Sequence, residues 1–274
     1  MSATEQNTEH VQEYGLFAEE RHQRILELLA DDSRVLVNEL SDRFGVSAAT
    51  LRNDLRELEQ KGKLRRTHGG AVALEPNVTE RPAGDALIEQ HGAKQAIGRA
   101  AAALVHDGDT LICDSGSTTL EFIRALGKKR GLTIITNDFT ISTEAERTIP
   151  QSNIFFLGGT VRMGFHYTMG STTVNALAHL SAPTAFLATS AFSFERGFTT
   201  HMPDLALFKR TLIEHSERRI MLMDSSKIGT FTTVNFAELS DVSTLIIDDG
   251  ISEADRKRIE EAEDAPNLLI ADSL

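Results

Sequence analysis

The stretch SAATLRNDLRELEQKGKLRRTHGGAV, residues 47–72, sets an amphipathic helix directly before a basic hairpin. Read as a helix, Leu51, Leu55 and Leu58 fall on one stripe at spacings of four and three, while Ala49, Asn53, Arg56 and Gln60 point the other way. One face packs and the other is free to read a groove. Ser47 is placed to cap the helix start and Gly62 to end it. KLRRTHGGAV then gives a charged, β-capable strand broken by a glycine pair suited to a tight turn.

The flanking sequence supplies partners for that apolar stripe. RHQRILELLADD places Ile25, Leu28 and Leu29 on one face of an earlier helix, and VNELSDRFG places Leu40 and Phe44 on a second. Gly45 starts a bend into Val46 and Ser47, and a short strand is expected around Val35 to Val37. Helix, strand, helix, turn, helix and basic hairpin, in that order, predict a winged helix-turn-helix whose third helix enters the major groove of double-stranded DNA. The candidate DNA contacts are Ser47, Thr50, Arg52, Asn53 and Arg56 on that helix, with Arg65, Arg66 and His68 in the wing. The wing cations are expected to hold phosphates, which positions a domain without specifying sequence. The competing role for Arg52 and Arg56 is a solvated face paired to Glu57 or Glu59, and for the wing a plain surface turn.

Arg21 with Ile25 and Leu29, Ser47, the run Thr50-Leu51-Arg52-Asn53-Asp54-Leu55, Leu58-Glu59, Gly62, Arg66 and His68-Gly69-Gly70-Ala71 carry a specific likeness. Through them residues 21–72 resemble the DNA-binding domain of the DeoR family of sugar-catabolism regulators. The resemblance implies a transcriptional regulator, acting as a repressor. It departs at Asn53, where the family most often has a second Arg. Arg favours guanine edges and Asn bonds adenine in a bidentate way, so an operator richer in A·T is expected at that step, unless Asn53 faces a phosphate or solvent.

Net charge appears at first to oppose a DNA partner: 28 Lys and Arg against 40 Asp and Glu leave −12 over 274 residues. Distribution answers the objection, because residues 21–70 carry +2 and residues 47–70 alone +3, while residues 1–20 contribute −5. The acidic body repels the duplex and confines binding to the small basic face, which makes affinity salt-sensitive. A homodimer or higher even homo-oligomer would double the contacts and match paired half-sites.

Four segments follow from composition: a polar disordered tail at 1–18, the winged helix-turn-helix at 19–74, a linker at 75–92 with two prolines, and an α/β effector-sensing domain at 93–274. In the last, AKQAIGRAAAALV reads as a small-residue helix. The apolar runs TLICD, LTIIT, NIFFL, TAFLA, RIMLMD, TLIID and NLLIA then alternate with helix-like segments around 117–127, 171–180, 205–216 and 252–263. That alternation predicts a mostly parallel sheet covered on both faces. The single cysteine, Cys113, belongs to a buried strand, and the cytoplasm is the expected compartment. No signal peptide or membrane-length apolar stretch is read.

Ligands of such sheets bind beyond the carboxyl ends of the strands. There Asp114-Ser115-Gly116-Ser117-Thr118-Thr119 precedes a helix, combining hydroxyls, free N–H groups and the positive end of a helix dipole in a phosphate cradle. An ordinary Ser/Thr helix cap has the same residues. Asp114 is assigned to sugar hydroxyls, since it would repel a phosphate. Together DSGSTT, TND, FLGGTVR and DSSKIG, with Lys94 at the head of the first helix, resemble the effector domain of the DeoR family, similar in fold to ribose 5-phosphate isomerase. The resemblance implies a phosphorylated sugar as effector. It places Ser115 to Thr119 on the phosphate, and Lys94, Asn137, Gly158, Gly159, Asp224 and Lys227 around the site. Residues 190–204 keep RGFTT but have Ser190-Ala191-Phe192 where a Gly-rich start is usual, which implies an altered pocket lip.

An enzymatic alternative, a sugar-phosphate isomerase with a DNA-binding appendage, would use Asp114 or Asp138 as the base. No cofactor or metal is expected: His166, His179, His201 and His215 form no i, i+4 pair, and GxSxG, Walker and GxGxxG motifs are absent.

Overall fold

The helix stripe of Leu51, Leu55 and Leu58 closes a small core in the computed structural model, which describes residues 16–32, 34–61, 63–67, 69–73, 80 and 82–272. The chain divides into two units, Met1–Asn77 and Val78–Leu274. The first runs α1 (Ala18–Asp32), β1 (Arg34–Leu36), α2 (Val37–Phe44), α3 (Ala48–Gln60), β2 (Leu64–Arg66) and β3 (Gly70–Ala73). The strands form an antiparallel sheet in the order β1-β3-β2. Ile25, Leu29, Leu40, Phe44 and the three α3 leucines are each at most 3% exposed. Each such side chain stabilises the unit by about 2 kcal/mol on burial. The short strand ends one residue before the expected position, because Val37 opens α2 with its side chain still buried. Gly70 is fixed by close approach rather than by the turn: a Cβ there would lie 1.8 Å from the Val35 carbonyl oxygen. Gly62, expected to end α3, and residues 1–15 of the expected tail lie outside the described residues.

The second unit begins with α4 (Ala83–Ile88) and α5 (His91–Ala103), followed by β4 (Thr110–Cys113), α6 (Ser117–Ala125), β5 (Thr133–Thr136), α7 (Phe139–Thr148) and β6 (Asn153–Phe156). A hairpin, β7 (Thr160–Arg162) and β8 (Tyr167–Met169), leads to α8 (Ser171–Leu177) and β9 (Ala182–Ala188). Then come β10 (Ala191–Ser193), β11 (Gly197–Thr200), α9 (Pro203–Glu214), β12 (Ser216–Leu222), β13 (Val234–Ala237), β14 (Thr244–Asp248), α10 (Glu253–Glu260) and β15 (Asn267–Ala271). Seven strands make one sheet, β15-β14-β12-β9-β4-β5-β6, with every neighbouring pair parallel. They are the seven apolar runs of the sequence. Helices α5, α6 and α7 pack one core and α8, α9 and α10 the other, so both sheet faces are covered.

Three features were not foreseen. Helix α7 begins where Asp138 caps it, and β10, β11 and β13 form a small second sheet around Phe192, Phe198 and Phe236. The expected linker 75–92 is corrected. Residues 75–79 and 81 lie outside the described residues, but α4 and the start of α5 occupy most of the remainder. Local polarity hid this, since the segment is held by one contact distant in sequence, Ala83 N–H to the Gly164 carbonyl at 2.9 Å, and by Lys94 Nζ, eight residues on, to the Ala86 carbonyl at 2.7 Å. A low apolar period at 80–92 thus reflects docking by polar contacts.

Candidate DNA-reading face and effector site

Helix α3 starts at Ser47, whose Oγ accepts the Thr50 N–H at 3.1 Å and lies 2.9 Å from the Thr50 hydroxyl. Its outer face carries Ala49, Arg52, Asn53, Arg56 and Gln60, all exposed. Asn53 Oδ1 accepts a hydrogen bond from Arg56 Nη1 at 2.8 Å, so these two present one joint polar surface. In the wing, Arg65 is exposed and Arg66 leans back on Glu59, its N–H donating to Oε1 at 2.9 Å. His68 lies outside the described residues. Asp54, within the run that carries the family likeness, turns inward and is buried. It accepts from Arg21 Nε at 2.9 Å and Nη2 at 3.2 Å, with His22 Nε2 at 3.3 Å. That clasp fixes α3 against α1 and removes the acid from the reading face.

The strand order places the other site. From β4 the chain adds β5 and β6 on one side and then returns to add β9, β12, β14 and β15 on the other. The switch therefore lies at the carboxyl ends of β4 and β9, where open α/β sheets hold ligands. Asp114 leaves β4 there and is 0% exposed. Its Oδ1 accepts the Ser115 N–H at 2.9 Å and Oδ2 accepts the Ala188 N–H at 3.0 Å as well as the ammonium of Lys209. Lys209 also donates to the Ala188 carbonyl at 2.9 Å. The expected contact of Asp114 with sugar hydroxyls is corrected accordingly: its oxygens are spent on tying two strand ends to α9.

Past that clasp, Gly116 has φ +140°, a region that favours glycine, and α6 opens with no side-chain cap. The N–H groups of Ser117, Thr118 and Thr119 thus begin a helix without carbonyl partners one turn back. Ser117 is half-buried, Thr118 and Thr119 are buried, and Thr119 Oγ1 has no hydrogen-bond partner among the described residues. Asp138 sits beside this helix end, capping α7 through Thr140 N–H at 2.8 Å and Ile141 N–H at 3.0 Å and accepting from the Gly116 N–H. Burial raises it from 3.8 to about 6 against those three N–H groups.

The remaining predicted residues divide. Asn137 is buried, its Nδ2 donating to the Thr168 carbonyl at 2.7 Å while Oδ1 has no partner among the described residues. Lys94 is 3% exposed; burial lowers its pKa and Asp224 opposes that, so it lies beneath the site surface. Asp224 caps the turn Ser225–Lys227 through Ser226 N–H, with Lys227 Nζ 3.9 Å away. Gly158 and Gly159 seat α8: Thr173 Oγ1 donates to the Gly158 carbonyl at 2.9 Å, and a Cβ on Gly159 would sit 2.1 Å from that Oγ1. Sequence reading missed Lys209, although a lysine between Leu205, Phe208 and Leu212 on a helix breaks an apolar stripe. Arg162, which closes the FLGGTVR run, is engaged too, its guanidinium bonded to Glu80 and 4.3 Å above the Phe165 ring. Burial pushes the Cys113 thiol up, in keeping with its place inside β4.

Two family matches tile the chain: a DeoR-like helix-turn-helix domain at residues 21–77 and a DeoR C terminal sensor domain at residues 89–249. The chain belongs to the DeoR family. It is a DNA-binding transcriptional regulator, and its relatives are regulators rather than enzymes. Over 89% of this chain and 94% of the relative, it is 34% identical to the HTH-type transcriptional regulator GlpR of Haloferax volcanii. With the transcriptional repressor AccR of Agrobacterium fabrum it shares 31% identity over 85% of this chain and 90% of that protein. Among solved structures, ribose 5 phosphate isomerase A from Neisseria gonorrhoeae superposes on 50% of this chain and 53% of its own, with TM-score 0.37 and 16% identity. Among the described residues no group of three His, Cys, Asp or Glu is placed to hold a metal ion, and no helix is long and apolar enough to cross a membrane.

Proposed function

We propose that this DeoR-family regulator is a cytoplasmic repressor of sugar-catabolism genes, released from its operator when a phosphorylated sugar binds the sensor domain. The observation that carries the reading is the uncapped start of α6 at the topological switch point, with the N–H groups and hydroxyls of Ser117, Thr118 and Thr119 together. A helix N-terminus of this kind favours a phosphate through its dipole and its unpaired donors. Repression is supported by relatives such as AccR, and sensing by the family description of residues 89–249. On the DNA side, Arg52, Asn53 and Arg56 read bases from the outer face of α3, Ser47 and Thr50 hold its start against the backbone, and Arg65, Arg66 and His68 grip phosphates.

Linkage supplies the mechanism. An effector that favours the subunit arrangement with misplaced reading helices weakens DNA binding by the factor by which DNA weakens effector binding. A coupling of roughly 1–3 kcal/mol is enough for a useful switch. The working form is a homodimer or higher even oligomer. The sheet ends at the edge strand β6, where Phe155 and Phe156 are 52% and 43% exposed, an apolar edge suited to a second copy.

A thermal-shift screen of phosphorylated sugars tests the reading, because a ligand bound only by the native state raises the melting temperature. At least one phosphorylated sugar should stabilise the protein while its unphosphorylated parent does not. Equal shifts with both would refute the phosphate cradle.

A further inference from the structure

The residue that begins the described part of the second unit, Glu80, makes a contact no part of the function above uses. Its Oε2 is paired with Arg162 Nη2 on β7, and its Oε1 accepts the Tyr167 hydroxyl on β8 at 2.9 Å. The side chains of Arg162 and Glu80 are only 23% and 16% exposed. The guanidinium is not fully used: besides Glu80 it meets the Met202 sulfur and the face of the Phe165 ring, and Nε is buried with no hydrogen-bond partner among the described residues. A half-satisfied guanidinium is costly in a protein interior and is the usual receptor for a planar or phosphoryl anion.

The pair belongs to the neighbourhood of the cradle. Tyr167 forms a backbone bridge with Asp138, and the Asp138 carboxylate accepts the N–H of Gly116, the residue that opens α6. His201, whose pKa is lowered chiefly by burial, feels the charges of Glu80, Arg162, Lys209 and Lys227 together. The cations Lys209 and Lys227 already have the carboxylates Asp114 and Asp224, which leaves Arg162 as the cation here whose counter-ion comes from outside the sheet and its strand ends. Glu80 lies seven residues beyond Ala73, the last residue of the wing strand, and the next anchor of its segment is the bond from Ala83 N–H to the Gly164 carbonyl in the β7–β8 turn.

We propose that Arg162 is a second anion contact of the sensor site and that Glu80 is the chain's own stand-in for the ligand's anionic group, displaced when the effector binds. The idea rests on the phosphate-effector reading for the identity of the anion, and on the Glu80–Arg162–Tyr167 geometry for everything else. Displacing Glu80 loosens the described stretch ahead of α4, which is otherwise anchored by the bond from the Ala83 N–H to the Gly164 carbonyl. Charge decides the direction of exchange: a phosphate dianion offers Arg162 more negative charge and more acceptors than one carboxylate.

The test uses the full-length protein with inorganic phosphate as the probe, comparing the parent with Glu80→Gln and Arg162→Met. Half-saturation is read by calorimetry, and amide hydrogen exchange is read over residues 83–88. Glu80→Gln, which keeps size and hydrogen bonding, should bind phosphate roughly fivefold more tightly, the weight of a part-exposed ion pair. Its Ala83 amide should exchange faster even without phosphate. Arg162→Met should show the same faster exchange with no gain in phosphate affinity. In the parent, saturating phosphate should speed exchange at Ala83. The proposal is overturned if Glu80→Gln binds phosphate no better than the parent, if Arg162→Met gains equally, or if phosphate leaves exchange at 83–88 of the parent unchanged. Ser117→Glu separates the two ideas: undiminished phosphate binding in that variant refutes the α6 cradle, while the Glu80 comparison still decides the counter-ion.

Discussion

In the DNA-reading unit Asp54 is clasped by Arg21, 33 residues earlier; in the sensor unit Asp114 is clasped by Lys209, 95 residues later. Both carboxylates stand within the motif that marks their unit, and both are turned away from the partner that motif serves. What remains outward differs. Helix α3 presents Arg52 and Arg56 as exposed side-chain charge, suited to a duplex whose phosphates are spread over a long surface. The cradle at α6 presents backbone N–H groups and hydroxyls while its cations, Lys94 and Lys209, are buried and committed. On the proposed reading a small anion is met first by fixed dipoles, which lose no side-chain entropy on binding, and a polymer by exposed cations, which can follow it.

The two clasps should break differently. Lys209→Met leaves Asp114 fully buried without its cation and is expected to destabilise the sensor unit by about 3–5 kcal/mol, read by chemical denaturation. Asp54→Ala leaves Arg21 at 11% side-chain exposure with a remaining bond to the Leu16 carbonyl at 2.8 Å. A smaller loss, about 2–3 kcal/mol, is expected there, together with loss of operator binding because α3 is no longer anchored. Equal losses in the two units would show that length of chain and depth of burial do not matter to these pairs.

Arg52→Ala sharpens the contrast from the exposed side. It removes no internal contact described above, so stability should hold while operator affinity falls by about 1–3 kcal/mol, measured by gel retardation. A melting temperature lowered as far as in Asp54→Ala would place Arg52 in the fold and not on the reading face.

The effect confined to a pH window concerns Asp138. Burial raises its pKa from 3.8 to about 6 in the folded chain. A carboxyl group so shifted keeps its proton longer when folded than when unfolded. Its contribution is fully present below about pH 4 and is lost as pH rises through about 6. Asp138→Asn should remove that part of the pH dependence and cap α7 comparably. Relative to the parent, its stability should rise across this window and level off above about pH 7, by on the order of 3 kcal/mol at most. A constant difference from acid to neutral pH would contradict the burial argument.

These contrasts also explain what the sequence made legible. The α3 face follows from spacing within thirteen residues, and the seven sheet strands from continuous apolar runs, because both signals are local. The switch point was reachable by rule once the strands were known, which is why Ser115 to Thr119 could be nominated. Lys209, Arg162 and Glu80 were not, since each acquires its role from a partner 82 to 95 residues away. Asp114 shows the same limit in reverse: its place beside the cradle was legible, while its commitment to Lys209 and Ala188 depends on strand β9 and helix α9 arriving from later in the chain. Gly158 and Gly159 were nominated by motif, whereas their packing against Thr173 depends on α8 and was not legible.

The most direct measurement is fluorescence anisotropy of a labelled duplex from the regulated promoter, titrated with the parent, Arg52→Ala and Ser117→Glu proteins in the absence and presence of phosphorylated sugars. The parent should bind and be released by a phosphorylated sugar. Ser117→Glu should bind and stay bound, and Arg52→Ala should fail to bind while still gaining thermal stability from the same sugar. Release of Ser117→Glu at the parent's sugar concentration, or a parent complex indifferent to every phosphorylated sugar, would contradict control of the reading helix by an anion seated at α6.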